Sequence, residues 1–346
     1  MEYNYTGKKV FVGIDVHKKK YVISCRCEGT PVKRWTMPAS PEQLVEQLQK
    51  YFSGATLKTV YEAGFSGFVL HRRLQSQGVD NIIVNPASIE TAAGDRVKTD
   101  KRDATKMAIQ HESGRLRGIH IPSEAQELTR LLSRTRRSLT QERTRIGQKI
   151  KSKLYQFNLI PADDEHVLRK TQVMKWMNCS TVPEALQITL QSLGRTWLHL
   201  EGEVRALDKA LAKQAQASPL ENIYRSVPGI GLVGARILAN ELGDMSQFPN
   251  ERTLFSFTGL TPSEHSSGES RRQGHISRCG KTGVRWILTE AAWVAIRKDA
   301  ALKEAFDRIA QHAGVKRAIV AIARKLVGRI RACLRDGVLY EFNRIK

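Results

Sequence analysis

The sequence predicts an α/β domain followed by an all-α region. Two observations carry that division. Up to about residue 120, short apolar runs at period two alternate with helical patterns. From Ser123 onward the apolar residues recur at helical spacing instead. Charge separates the chain from ordinary globular domains: 56 Lys and Arg stand against 34 Asp and Glu, a formal net charge of +22. That excess points to a polyanionic partner, most simply nucleic acid. A membrane-surface protein is the other class with such an excess, but no apolar run reaches the ~18 residues of a spanning helix. Met1–Lys8 carries no signal-peptide pattern.

The first strand pattern is Lys9–Val16. Val10, Val12, Ile14 and Val16 share one side, and Phe11, Gly13 and Asp15 the other. A carboxylate at the end of an apolar strand is costly unless compensated by a cation, a salt bridge or exposure. Residues 20–27 and 32–37 read as two more strands, joined by short turns at 17–19 and 28–30, so the first three form an antiparallel meander. Ser40 and Pro41 open a helix as N-cap and first residue, with Leu44, Leu48 and Tyr51 on its apolar face. Residues 57–63 form a strand carrying Glu62, 67–77 a helix stopped by Gly78, and 81–84 a fifth strand. Lys98-Thr99-Asp100-Lys101-Arg102-Asp103-Ala104 then runs into a helix. The order β-β-β-α-β-α-β-α is that of an RNase H-like mixed sheet. Such folds carry acids on the first strand, the fourth strand and a late helix, the places of Asp15, Glu62 and Asp100/Asp103. Asp100 and Asp103 share a helix face. Taken alone they read first as an N-cap and its first-turn partner, and Asp95 competes for either place. With Asp15 and Glu62 they make four hard oxygen donors suited to Mg²⁺, with Mn²⁺ as the alternative.

Glu124–Phe157 reads as one long helix. Nine basic residues lie between Arg130 and Lys153, among them Arg134, Arg137, Arg145, Lys149 and Lys153, against one acid, Glu142. That imbalance suits phosphate-backbone contact. A second long helix carries Leu190, Leu193, Trp197, Leu200, Val204, Leu207 and Leu211, an apolar seam that serves either an intramolecular hairpin or a coiled-coil dimerisation arm. Near Pro219 a third unit begins. Ser226-Val227-Pro228-Gly229-Ile230-Gly231 before a helix resembles a helix-hairpin-helix turn, with Gly229 and Gly231 free to meet a phosphate or to serve tight packing. A polar stretch, 263–270, precedes the basic loop 271–281 with Arg271, Arg272, Arg278 and Lys281, a plausible phosphate cradle. The expected domains are 1–120, 121–218 and 219–346. The five cysteines are scattered without zinc spacing, and Cys25 and Cys27 read as packing residues in a reducing cytoplasm.

Gly13-Ile14-Asp15-Val16-His17-Lys18, Tyr61-Glu62-Ala63 and Lys98–Ala104 resemble the three acidic motifs of the DEDD transposases of insertion-sequence family one-hundred-and-ten, relatives of the Piv DNA invertases. Ser226–Gly231, Phe257-Thr258-Gly259-Leu260-Thr261-Pro262 and Ser266-Ser267-Gly268 resemble that family's second conserved domain, the Ser-Ser-Gly form being similar to its eleven-eleven branch. The resemblance implies a RuvC-like domain, a coiled-coil arm and a C-terminal transposase domain. It implies Mg²⁺ held by Asp15, Glu62, Asp100 and Asp103, and a nucleophilic serine, placed by the motif at Ser267 with Ser266 adjacent. It also implies double-stranded donor and target DNA, a non-coding bridge RNA that guides strand exchange, homodimers or tetramers, no membrane, and a prokaryotic, nucleoid-associated setting. Two other functions stay open on sequence: a RuvC-like nuclease using water, and a non-enzymatic helix-hairpin-helix scaffold.

Overall fold

A computed structural model describes residues 4–91, 99–161, 168–215, 218–264, 267, 273–277 and 279–342. The chain divides into two compact units, 1–121 and 122–346.

Unit 1 is a five-stranded mixed sheet. Its strands are β1 (Lys9–Val16), β2 (Lys20–Cys27), β3 (Thr30–Pro38), β4 (Thr56–Glu62) and β5 (Asp80–Val84), in the order β3-β2-β1-β4-β5. β1 runs antiparallel to β2 and parallel to β4, β2 pairs antiparallel with β3, and β4 is parallel to β5. The helices are α1 (Pro41–Tyr51), α2 (Val69–Ser76) and α3 (Asp100–Glu112). Ser40 caps α1 by accepting the Gln43 N–H, with Pro41 in the first turn.

The two faces of β1 explain the unit. Val10, Val12 and Ile14 are fully buried in a core shared with Leu44, Leu48, Leu70 and Leu74 of α1 and α2. Each such side chain contributes about 1.5–3 kcal/mol. The opposite face takes α3: the Phe11 ring meets the edge of His111, with centroids 5.4 Å apart. Cys25 and Cys27 are buried on β2, as packing residues.

Unit 2 is built mainly of helices. α4 (Glu124–Gln156) starts in a capping box of Ser123 and Gln126, followed by α5 (Lys170–Met177) and α6 (Glu184–Ala215). α4 and α6 pack as an antiparallel pair within the chain. Arg136 bonds Asp208 and Arg143 bonds Glu201, while Ile150 and Leu154 share a core with Leu186, Leu190 and Trp197. The apolar seam of α6 is therefore used, at least in part, by the hairpin.

The remainder is α7 (Pro219–Ser226), α8 (Leu232–Leu242), α9 (Glu251–Thr258), the strand pair β6 (Pro262–Glu264) and β7 (Gln273–Ile276), and helices α10 (Thr282–Lys298), α11 (Ala300–Ala313) and α12 (Val315–Asp336). The strand pair stands where the polar stretch reads as loop, because Gln273-Gly274-His275 offers no apolar alternation. The helices surround one large core that includes Leu238, Leu288, Ile322 and Leu326.

Candidate active site

The site starts from a missing side chain. A Cβ on Gly13 would lie 2.0 Å from the Ala104 carbonyl and 2.7 Å from the Ala108 N. α3 therefore lies directly on β1, and glycine is what permits the approach. Two residues along the same face of β1 comes Asp15, and the first turn of α3 carries Asp100 and Asp103. That turn is favourable for acids because of the helix dipole. Thr99, and not Asp100, is the N-cap, accepting the Arg102 N–H, so Asp100 is released from the capping role that sequence left open to it.

The side chains converge. His17 Nε2 lies 3.1 Å from Asp15 Oδ2 and 3.2 Å from Asp100 Oδ2. Lys20 Nζ lies 2.8 Å from Asp100 Oδ2. One ligand atom from each of Asp15, His17 and Asp100 falls within 4.8 Å of the others, an arrangement that could hold a metal ion. Burial raises the Asp15 carboxyl above the usual aspartate range; His17 opposes this, and the charges of Asp100 and Asp103 add to it. The Lys20 hydrogen bond holds Asp100 below its usual range. Asp103 is half-buried one turn into α3. Glu62 ends β4; the pairing of Ile14 with Tyr61 puts it on the strand next to Asp15, exposed and outside the Asp15–His17–Asp100 group.

The donors fit a hard cation. Carboxylates suit Mg²⁺ and Mn²⁺, and crowding of Asp15, Asp100 and Asp103 is relieved by positive charge. Imidazole suits softer metals, so His17 is better read as the hydrogen-bond partner of Asp15, with Asp100 beside the same nitrogen. Lys20 also neutralises Asp100 directly. Neither His17 nor Lys20 was singled out by sequence reasoning, yet Asp-x-His at a strand end places residues 15 and 17 on one face.

Among the other sequence candidates, Ser267 is exposed and lies in the segment between β6 and β7. Ser266, Arg271, Arg272, Arg278 and Asp95 lie outside the described residues. Arg134 grips both oxygens of Glu241, at 2.7 and 2.9 Å, and Arg130 donates to the Asn240 and Glu241 carbonyls. Part of the basic run thus holds α4 to α8. Lys153 bonds Gln156, while Arg145 and Lys149 are exposed on α4. Lys281 precedes α10 and, with Arg137, lines a cleft. Gly229 has φ +82°, and a Cβ there would lie 2.8 Å from Ala291 Cα. It serves helix packing, whereas Gly231 has open space around it.

Two family profiles match the chain. A DEDD transposase profile of IS110 type covers residues 12–159, and the profile described as the transposase IS116/IS110/IS902 family covers 221–307. The candidate transposase y4qE of Sinorhizobium fredii is 29% identical, across 83% of this chain and 72% of the relative. The transposase for insertion sequence element IS1533 of Leptospira borgpetersenii is 28% identical, across 83% and 85%. That for IS1111A of Coxiella burnetii is 24% identical, across 81% and 79%. The first profile spans the Asp15, Glu62 and Asp100/Asp103 motifs, and the second spans the Pro-Gly-Ile-Gly and Ser267 region. The chain belongs to the IS110 family of DEDD insertion-sequence transposases.

Proposed function

We propose that this transposase cleaves and rejoins DNA strands in a divalent-metal-dependent reaction, with an RNase H-like (RuvC-like) unit 1 and a serine nucleophile in unit 2. The observation that carries the reading is the convergence of Asp15 and Asp100 at the foot of α3. The strand order β3-β2-β1-β4-β5, with β2 antiparallel, supports the RNase H-like assignment. Asp15 and Asp100, with Glu62 and Asp103 beside them, would hold Mg²⁺ or Mn²⁺, which when bound supplies positive charge to the scissile phosphate.

The chain's own groups do the rest. His17 orients the Asp15 carboxylate and Lys20 that of Asp100. Ser267, which is exposed, would attack phosphorus through Oγ and lose its proton, forming a serine phosphoester as the DNA ester bond breaks and the leaving oxygen is protonated to a hydroxyl. The phosphodiester energy would be kept in that ester, so rejoining needs no nucleotide cofactor. Exposed Arg145 and Lys149, with the basic loop 271–281, would contact nucleic-acid backbones. A bridge RNA, helix-hairpin-helix contacts at Gly231, an eleven-eleven branch position and assembly as dimers or tetramers rest on the family resemblance, with the net charge of +22 in support of the RNA. Sequence readout would then fall to base pairing.

The test is strand exchange on donor and target DNA with Mg²⁺, comparing the wild type with Asp15→Asn and Ser267→Ala. Asp15→Asn should abolish exchange while DNA binding and melting temperature persist. Ser267→Ala should abolish the covalent protein–DNA adduct. Cleavage at the normal rate by Ser267→Ala would mean that water is the nucleophile, and full activity of Asp15→Asn would remove the metal reading.

A further inference from the structure

Unit 2 holds an electrostatic imbalance opposite in sign to that at Asp15. A cleft of about 380 Å³ opens between α4, α8 and the start of α10, lined by Arg134, Arg137, Lys281 and one carboxylate, Glu241. Arg134 already engages both oxygens of that carboxylate. Among the described residues Arg137 has no carboxylate partner. Gly283 makes room for it: a Cβ there would lie 2.2 Å from Arg137 Nη1. Lys281 stands at the N-cap of α10 and gives the helix no side-chain cap. Thr282, Gly283 and Val284 line the same cleft. Three cations are thus gathered with a single carboxylate, Glu241, against the positive end of a 17-residue helix, an excess of positive charge that favours the entry of an anion.

A second feature says what the anion is attached to. Trp286 is 60% exposed, and it follows Thr282 by one helical turn on the same exposed stripe. A large aromatic in water one turn from a cationic cleft is the arrangement by which single strands are held, with phosphates on cations and bases on rings. We propose that this cleft seats a backbone phosphate of single-stranded nucleic acid and that Trp286 stacks on the adjoining unpaired base. Arg137, Lys281 and the Thr282 hydroxyl meet the phosphate; Arg134 keeps Glu241 neutralised and out of its way. The choice of ligand rests on the proposed strand-transfer function, but the cleft shares no residue with the Asp15 site.

The experiment measures binding of labelled single-stranded DNA, single-stranded RNA and blunt duplex DNA to the full chain. Trp286→Ala should weaken both single strands by about 5- to 100-fold and leave the duplex unchanged, and Trp286→Phe should restore most of the affinity. Arg137→Ala should reduce the slope of log affinity against log salt by about 0.7 on single strands. Asp15→Asn should bind single strands as the wild type does, so failure of the catalytic reading and failure of this one give different results. Unchanged single-strand binding in Trp286→Ala and Arg137→Ala overturns the proposal. Equal losses on duplex and single strands in Trp286→Ala also overturn it, as would displacement of the single strand by inorganic phosphate alone with no contribution from Trp286.

Discussion

Gly13→Ala probes how the site is assembled without touching any group that carries its chemistry. The added methyl would stand 2.0 Å from a backbone oxygen of α3 and 2.7 Å from a backbone nitrogen. Ordinary contact begins near 3.4 Å, so α3 must retreat by about 1.4 Å if it moves straight away from β1. No rotamer change can relieve a backbone clash, so the cost should reach or exceed the usual 1–3 kcal/mol of an overpacked core. Each kcal/mol lowers the melting temperature by about 4–8 °C in a domain of 60–100 residues, and somewhat less in a unit slightly larger than that. The same retreat carries Asp100 and Asp103 away from Asp15. A displacement of about 1 Å in a reacting constellation can cost ~100-fold in rate. Thermal melting and Mg²⁺-dependent strand exchange should therefore both fall. Gly202→Ala, a helical position with nothing within 4 Å, should not lower the melting temperature. Gly13→Ala with wild-type melting and wild-type exchange would refute the reasoning, since α3 would then not need its closeness to β1.

Two further substitutions test unit 2. Burial works against the charged form of Glu241, but the hydrogen bonds and charge of Arg134, with Lys281 and Arg130, outweigh it and hold the carboxyl below the usual glutamate range. A depressed folded pKa gives stability that is present above the unfolded value of about 4.3 and lost as pH falls through the folded one. Arg134→Ala should thus cost about 1–3 kcal/mol at pH 7, and the deficit should shrink toward pH 3; denaturant melts across that range check it, and a deficit independent of pH would contradict it. Gly229→Ala forces a side chain into a left-handed conformation and against Ala291, and should cost about 2 kcal/mol or more, whereas Gly231→Ala should cost about 1 kcal/mol or less; equal melting temperatures would show that the turn is not packed as described.

The sheet was legible because strand periodicity and helix caps are local. Val10, Val12 and Ile14 mark a buried face by alternation alone, and Ser40-Pro41 marks a helix start by its own hydrogen-bonding needs. Asp15 and Asp100 were legible as site candidates because a carboxylate at an apolar strand end calls for compensation and because Asp100 and Asp103 share one helix face. What bridges them was not. His17 looks like an ordinary turn residue, and Lys20 like an exposed residue at a strand start, until α3 is laid across β1, and that placement depends on contacts about ninety residues apart. Charge counting likewise overstated the free cations on α4. Arg134, Arg136 and Arg143 face Glu241, Asp208 and Glu201, acids 58 to 107 residues away along the chain, and no local pattern reveals such pairing. Gly229 shows the same limit: a turn glycine reads alike whether it meets a phosphate or a helix.

The central claim is that the carboxylates gathered where α3 meets β1 form a divalent-cation site. Binding of Mn²⁺ to the full chain, followed by electron paramagnetic resonance in the absence of nucleic acid, tests it most directly. The wild type should bind Mn²⁺ and be displaced by Mg²⁺, while Asp15→Asn and Asp100→Asn should each weaken binding at least about tenfold, a difference of about 1.4 kcal/mol, without loss of the folded state. Equal Mn²⁺ affinity in all three proteins would contradict the claim and leave Asp15, His17, Asp100 and Lys20 as a salt-bridge cluster.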